Sequence, residues 1–129
     1  MFTIEQIKEA HAKVKSGADF PNYIQDLIIL GVKGYDTFVN DGHVEYYGVN
    51  NYTVISDEKY PEIKIEDVAN KERFIEFLVA HQDGQTDYIT FCNHSGQCGI
   101  AKWRVDIMEM TCTYFDKSGA EILIEKIPD

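Results

Sequence analysis

The segment from Cys92 to Cys98 holds the densest group of side chains able to do chemistry, because it places two thiols close to the imidazole of His94. A thiol beside an imidazole is a pairing used in nucleophilic catalysis, and Cys and His also ligate zinc. The spacing C-x-H-x-x-x-C differs from the common zinc patterns, and helix positions two apart do not face each other. The alternative is that Cys92 and Cys98 are small apolar core residues.

A second pair, His43 and Glu45, lies two residues apart in a predicted strand, so both side chains share a face. A carboxylate beside an imidazole can raise its basicity for general base catalysis.

The sequence contains no Walker loop, G-x-S-x-G, H-E-x-x-H or G-x-G-x-x-G motif. A small enzyme acting on a small molecule, through Cys92 with His94 or His43 with Glu45, stays an alternative; we expect no metal and no cofactor.

The composition restricts the classes of partner. The chain has 129 residues, 12 of them basic and 22 acidic, for a net charge of −10, and it is 44% hydrophobic. We expect one domain over residues 1–129 with a single core. The acidic balance opposes general binding to nucleic acid and to anionic membranes. The lack of a CxxC pair, of a long apolar run and of a secretory leader pattern indicates a cytoplasmic protein.

Apolar residues recur at helical spacing in four segments, arranged as two pairs. The first pair covers residues 3–16, ending at Ser16–Gly17, and residues 19–31. The second pair follows a connection at residues 57–69. The predicted capping residues are Thr3, as a capping box with Gln6, and then Asp19, Asn70 and Asp87.

After each helix pair the period changes to the alternation of strands. In the first run, Asp41–Gly42 predicts a two-residue hairpin turn, which places Asn40 opposite His43, Phe38 opposite Glu45 and Asp36 opposite Tyr47. A third strand follows near residues 52–56. Within the connection, Ile63 and Ile65 alternate and allow a short edge strand.

An offset of 68 residues relates the two halves of the chain and predicts an internal repeat, over about 3–56 and about 70–127. Gly31 corresponds to Gly99 and Asp19 to Asp87 at this offset. Aromatic residues also match: Phe20 with Tyr88, Tyr23 with Phe91, Tyr35 with Trp103, and Tyr46 with Tyr114. The predicted fold is α+β: two ααβββ repeats forming a mostly antiparallel sheet of about six strands, with four helices packed on one face.

The sheet face away from the helices is expected to mix charge, hydroxyl groups and aromatic rings, a blend typical of a surface that binds a ligand or another chain. The plain alternative is a polar face that only meets solvent. The leading hypothesis is a non-enzymatic binding module whose partner is a small ligand, a protein or a second copy of the chain. The candidate binding residues are Phe38, His43, Glu45, Tyr47, Arg104, Thr113 and Phe115.

Several stretches of the sequence resemble the YbcV-like family, among them residues 1–8, 15–21, 84–88, 110–117 and 124–128. The resemblance spans nearly the whole chain. It implies a bacterial protein of unknown function, and members of that family are often labelled phage envelope protein. The family supplies no catalytic or ligand residues. The acidic charge and the lack of a membrane-spanning run argue against an envelope role.

Overall fold

A computed structural model of the chain describes residues 1–15 and 19–127. Two helices and three strands are followed by two more helices and three more strands. None of the described helices has the length and apolar character needed to cross a membrane. The elements are α1 (Ile4–Ala12), α2 (Phe20–Leu30), β1 (Gly34–Phe38), β2 (Val44–Tyr47), β3 (Thr53–Ile55), α3 (Lys71–Gln82), α4 (Tyr88–Gln97), β4 (Lys102–Asp106), β5 (Thr111–Phe115) and β6 (Glu121–Lys126).

Side-chain caps fix the starts of three helices as the sequence predicts. Thr3 and Gln6 form the capping box of α1, Asn70 accepts the N–H of Arg73, and Asp87 accepts that of Thr90. Asp19 occupies the predicted N-cap position of α2, but its side chain makes no cap hydrogen bond to that helix. Its carboxylate accepts the backbone N–H of Lys15 instead, at 2.8 Å.

The α+β class and the antiparallel sheet are confirmed. The six strands form one open sheet in the order β3-β2-β1-β4-β5-β6, and every neighbouring pair is antiparallel. Strands β1 and β4 are the central pair, and there Asp36 lies opposite Arg104. This single pairing joins the sheet of the first half of the chain to that of the second. The internal repeat stays a prediction.

The core lies between the helices and one sheet face. Phe91 of α4 packs on Trp103 with ring centroids 5.7 Å apart, and Phe74 of α3 meets Tyr114 edge to face at 4.9 Å. Alternate strand residues supply the sheet side of this core, which confirms the predicted inward face. The buried strand residues include Tyr35, Val44, Tyr46, Trp103, Val105 and Tyr114.

The predicted two-residue hairpin turn is wrong. The loop between β1 and β2 is longer, with the N–H of Gly42 donated to the carbonyl of Phe38 at 2.8 Å, and the register places Asp36 opposite Glu45. A type I′ turn needs positive φ at both central residues, and of Asp41 and Gly42 only Gly42 has it, at +78°. The carbonyl of Asp41 accepts the N–H of Lys59, so the later connection holds the loop in this shape.

The segment after β3 and the end of α1 also differ from the sequence predictions or lie outside the described residues. Residues 57–70 contain no strand, so the edge strand suggested by Ile63 and Ile65 does not form. The N–H of Ile63 is donated to the carbonyl of Asn40, in the hairpin loop, and this segment crosses the end of the sheet. The predicted helix end at Ser16–Gly17 lies outside the described residues, and α1 ends at Ala12.

Substitutions at Gly31 and Gly99 test how the C-terminal ends of α2 and α4 are stabilised. Both glycines have left-handed φ, of +94° and +77°. A Cβ at Gly31 meets nothing within 4 Å, whereas one at Gly99 would lie 2.7 Å from the carbonyl oxygen of Val68. We expect Gly31→Ala to cost about 1 kcal/mol of unfolding free energy, the price of left-handed backbone. Gly99→Ala should cost roughly 2 to 4 kcal/mol, because overpacking adds to it. Urea denaturation measures both, and equal losses would contradict this account.

Candidate binding site

All seven residues predicted as a binding surface lie on the sheet face opposite the helices, called the open face below. Strand alternation places them there, with Arg104 directly opposite Thr113 and Phe115 opposite Lys102. Asp36 and Lys102, which are not in the predicted set, lie on the same face at its centre. The structure therefore brings the predicted residues together around a centre that the sequence hypothesis did not include.

Asp36 is that centre, and only 2% of its side chain is exposed. Arg104 binds it through two nitrogens, Nε to Oδ1 at 2.8 Å and Nη2 to Oδ2 at 3.0 Å. The Tyr47 hydroxyl donates to Oδ2 at 2.7 Å, and Lys102 Nζ lies 3.4 Å from the same oxygen. A buried carboxylate is tolerated only when it is paired and hydrogen-bonded, and these donors meet that requirement.

The pKa values follow from this arrangement. Burial raises the pKa of Asp36, but hydrogen bonds from Arg104 and Tyr47, with the charges of Arg104 and Lys102, outweigh burial and hold the pKa below its usual value. The hydrogen bond between Arg104 and Asp36 raises the pKa of the Arg104 guanidinium. Burial and the hydrogen bond to Asp36 also raise the pKa of Tyr47. Asp36 is thus ionised and Tyr47 is a neutral donor at neutral pH.

Two phenylalanine rings flank the cations. Lys102 Nζ lies 5.7 Å from the centroid of Phe38 and 5.2 Å from that of Phe115, and the Arg104 guanidinium carbon is 5.6 Å from Phe115. These are cation–π distances. The Arg104 side chain is 48% exposed and that of Lys102 26%, whereas Asp36 is buried. This central cluster of Phe38, Lys102, Arg104 and Phe115 over Asp36 therefore presents positive charge and apolar rings to solvent.

His43 extends the central cluster towards the edge of the sheet. Its ring stacks on Phe38 with centroids 4.4 Å apart and an interplanar angle of 2°. Asp41 Oδ1 lies 2.5 Å from Nδ1, and Glu45 Oε2 lies 3.6 Å from Nε2. Burial raises the pKa of Asp41, but hydrogen bonds from the backbone and ring of His43 lower it overall. The predicted pair of His43 and Glu45 is thus close, but the shorter contact is to Asp41.

Two grooves adjoin this region. One, of about 740 Å³, lies between the end of the sheet and the segment that follows β3; it is lined by Phe38, Asn40, Glu62, Ile63, Lys64, Ile65, Ala101 and Lys117. The other, of about 580 Å³, lies beside His43 and is strongly acidic; it is lined by Asp41, His43, Ile55, Ser56, Asp57 and Glu58. Phe38 connects the first groove to the central cluster.

The thiol site proposed from the sequence is not supported. Cys92 and Cys98 are fully buried in the core, and burial raises the pKa of both thiols. His94 stacks on Phe77 with centroids 3.9 Å apart, and its Nδ1 has no hydrogen-bond partner among the described residues. A nucleophile needs solvent access and a base within hydrogen-bond reach, and Cys92 lacks the first.

No metal centre is visible in the part of the chain that the structure describes, where no three His, Cys, Asp or Glu side chains are placed to hold an ion. Both nitrogens of His43 face carboxylates. Across the described residues, no hydrogen bond joins His43 to a thiol or hydroxyl group that could serve as a nucleophile.

Sequence reasoning missed Asp36 and Lys102 as site residues for different reasons. Lys102 lies two positions before Arg104, so strand alternation alone would have placed both cations on one face. The role of Asp36 depends on the pairing of β1 with β4, strands separated by the whole middle of the chain. No local pattern indicates that pairing.

Comparison with known proteins gives a family without assigning a role to any residue. A family model described as Protein of unknown function (DUF1398) matches residues 8–126. Among curated proteins, none matches the chain.

Removing the central carboxylate tests its importance for the fold. We expect Asp36→Asn to lower the free energy of unfolding by about 2 kcal/mol at pH 7, because it leaves Arg104 and Lys102 without their counter-charge. Asp26→Asn, at an exposed pair with Lys13, is the control and should cost less than about 0.5 kcal/mol.

The same variant has a defined pH dependence. Because folding lowers the pKa of Asp36, its stabilisation is complete above the carboxyl's unfolded pKa and is lost as pH falls through the lower folded value. The stability difference between wild type and Asp36→Asn should therefore shrink as pH falls below about 4. Urea denaturation across this range measures it, and a constant difference down to pH 2 would refute the role of the charge.

Proposed function

The chain belongs to the family of proteins of unknown function DUF1398, and we propose that it is a non-enzymatic binding module that takes a small organic anion on its open face. The observation that carries the proposal is the central cluster. There, Lys102 and Arg104 are fixed above a buried carboxylate, with Lys102 between Phe38 and Phe115 and Arg104 beside Phe115.

Asp36 supports this proposal because it positions the cations before any ligand arrives. Arg104 is held through Nε and Nη2, so its guanidinium plane is fixed, and Lys102 is held between two rings. Fixed donors lose less conformational entropy on binding than free surface side chains. An incoming carboxylate or phosphate would meet positive charge, while an apolar or planar part would meet Phe38 and Phe115.

The net charge of −10 supports a small ligand rather than a long polyanion. Charges more than about 8 Å apart are largely screened at physiological ionic strength, so a small anion at the central cluster interacts mainly with Lys102 and Arg104. A nucleic acid strand or an anionic membrane would extend over the surrounding acidic surface. The sequence prediction of no nucleic acid and no membrane partner is compatible with this proposal.

We also propose that the domain arose by duplication of one ααβββ unit. Shifting β1 by 68 residues gives the bounds of β4, and the same shift relates Gly31 to Gly99, both with left-handed φ. Asp36 and Arg104 are then equivalent positions, and they lie opposite each other in the central strand pair. Superposition of residues 20–55 on 88–123 in an experimental structure tests this; elements that fail to overlay at that offset would refute duplication.

A neutral and a charged probe test the binding proposal. We expect 1-naphthoate to bind and to shift the amide NMR signals of β1, β4 and β5, whereas 1-naphthamide, which has no charge, should bind at least about tenfold more weakly. Lys102→Met removes the charge but keeps an unbranched side chain, and should weaken naphthoate binding by about tenfold, or about 1.4 kcal/mol.

The control is Lys13→Met, which removes an exposed charge at the C-terminal end of α1, outside the open face. It should bind naphthoate as the wild type does. Equal binding of acid and amide, or wild-type binding by Lys102→Met, would overturn the proposal.

A further inference from the structure

We propose that the 740 Å³ groove beside Phe38 holds the aliphatic chain of an amphipathic acid whose acid group lies at Lys102 and Arg104. The proposal rests on the proposed function and names the ligand class, a chain with one acidic headgroup. Carboxylates and phosphate monoesters share this chemistry.

Phe38 is the residue that makes the groove and the central cluster one site. Its ring lines the groove and also lies 5.7 Å from Lys102 Nζ. Phe38 is paired with Lys102 across β1 and β4, and Ala101, which precedes Lys102 in the chain, lines the groove. A ligand that places its acid group at Lys102 therefore has an apolar surface directly beside it.

The outer wall of the groove is held in place at both ends. Ile63 donates its N–H to the carbonyl of Asn40 at 2.6 Å, and Glu66 donates to the carbonyl of Gly96 at 3.0 Å. Ile63, at the first anchor, and Ile65, between the two anchors, are both half-buried and line the groove. A wall fixed by backbone hydrogen bonds is formed before a ligand binds, and its volume falls within the range of about 300–1,000 Å³ common for small-molecule sites.

The charges around the groove favour an acid over a base. Lys64 and Lys117 line the groove, and Glu62 is the acidic residue among the described lining residues. Lys102 is the strand partner of the lining residue Phe38. Lys117 is paired with Asp67 at 2.8 Å, but the ion pair of Lys64 with Glu66 is 4.0 Å long. The described lining of this groove thus carries two cations and one carboxylate, whereas the groove beside His43 is lined by the carboxylates of Asp41, Asp57 and Glu58 and is less suited to an anion.

A series of straight-chain acids tests the inference in the wild-type protein. Acetate, hexanoate and decanoate should bind with rising affinity, by roughly two- to fourfold for each added methylene, because each one buries apolar surface. Methyl NMR signals of Ile63 and Ile65 should shift with decanoate but not with acetate.

A variant pair adds a second measurement. Ile65→Ser should weaken decanoate binding by about tenfold and leave naphthoate binding within about twofold, since naphthoate is held at the cluster. Ile55→Ser is the matched control, an exposed isoleucine on the open face outside this groove, and should change neither.

The outcomes separate the two proposals. Naphthoate binding without chain-length dependence would overturn the groove inference and leave the proposed function standing. Failure of every acid to bind would overturn both. Chain-length dependence with shifts at the exposed Ile28 and Ile29 of α2, and none at Ile63 or Ile65, would place the chain elsewhere and also refute the inference. If Ile65→Ser does not fold, the wild-type series decides.

Discussion

The buried carboxylate of Asp36 is the constraint on which the centre of this domain depends. Moving an ionised group out of water is unfavourable unless it is paired and hydrogen-bonded, and Asp36 is surrounded by Arg104, Lys102 and Tyr47. These partners come from both halves of the chain. The register of β1 against β4 is therefore fixed by charge pairing as well as by backbone hydrogen bonds, since a shift in register would leave Asp36 without Arg104.

The need to pair the Asp36 carboxylate also determines how the open face is arranged. Once Asp36 holds Arg104 and Lys102, the cations lie among Phe38 and Phe115, and their charge faces solvent while the carboxylate stays hidden. A structural ion pair and the proposed binding surface are thus two aspects of one cluster. This explains how a protein of net charge −10 can present a small region of opposite sign.

Local patterns predicted much of the fold. Helix caps such as Asn70 and Asp87 and the alternation of the strands depend on neighbours in the chain, and the structure confirms them. The hairpin loop at Asp41 could not be predicted in this way, because its shape depends on hydrogen bonds from residues 59–63. The open face is a similar case. Strand alternation alone placed seven of its residues, whereas the role of Asp36 depends on its pairing with Arg104, 68 residues later in the chain.

The Asp36–Arg104 pair also bears on which strands can join at the centre of the sheet. Taken separately, the strand sets β3-β2-β1 and β4-β5-β6 would expose β1 and β4 as sheet edges, and exposed edges can join to other molecules. Two copies of β1 joined about Asp36 would bring carboxylate against carboxylate, and two copies of β4 joined about Arg104 would bring guanidinium against guanidinium. Only the pairing of β1 with β4 cancels the charge, so one ion pair favours closure within the molecule over assembly between like edges.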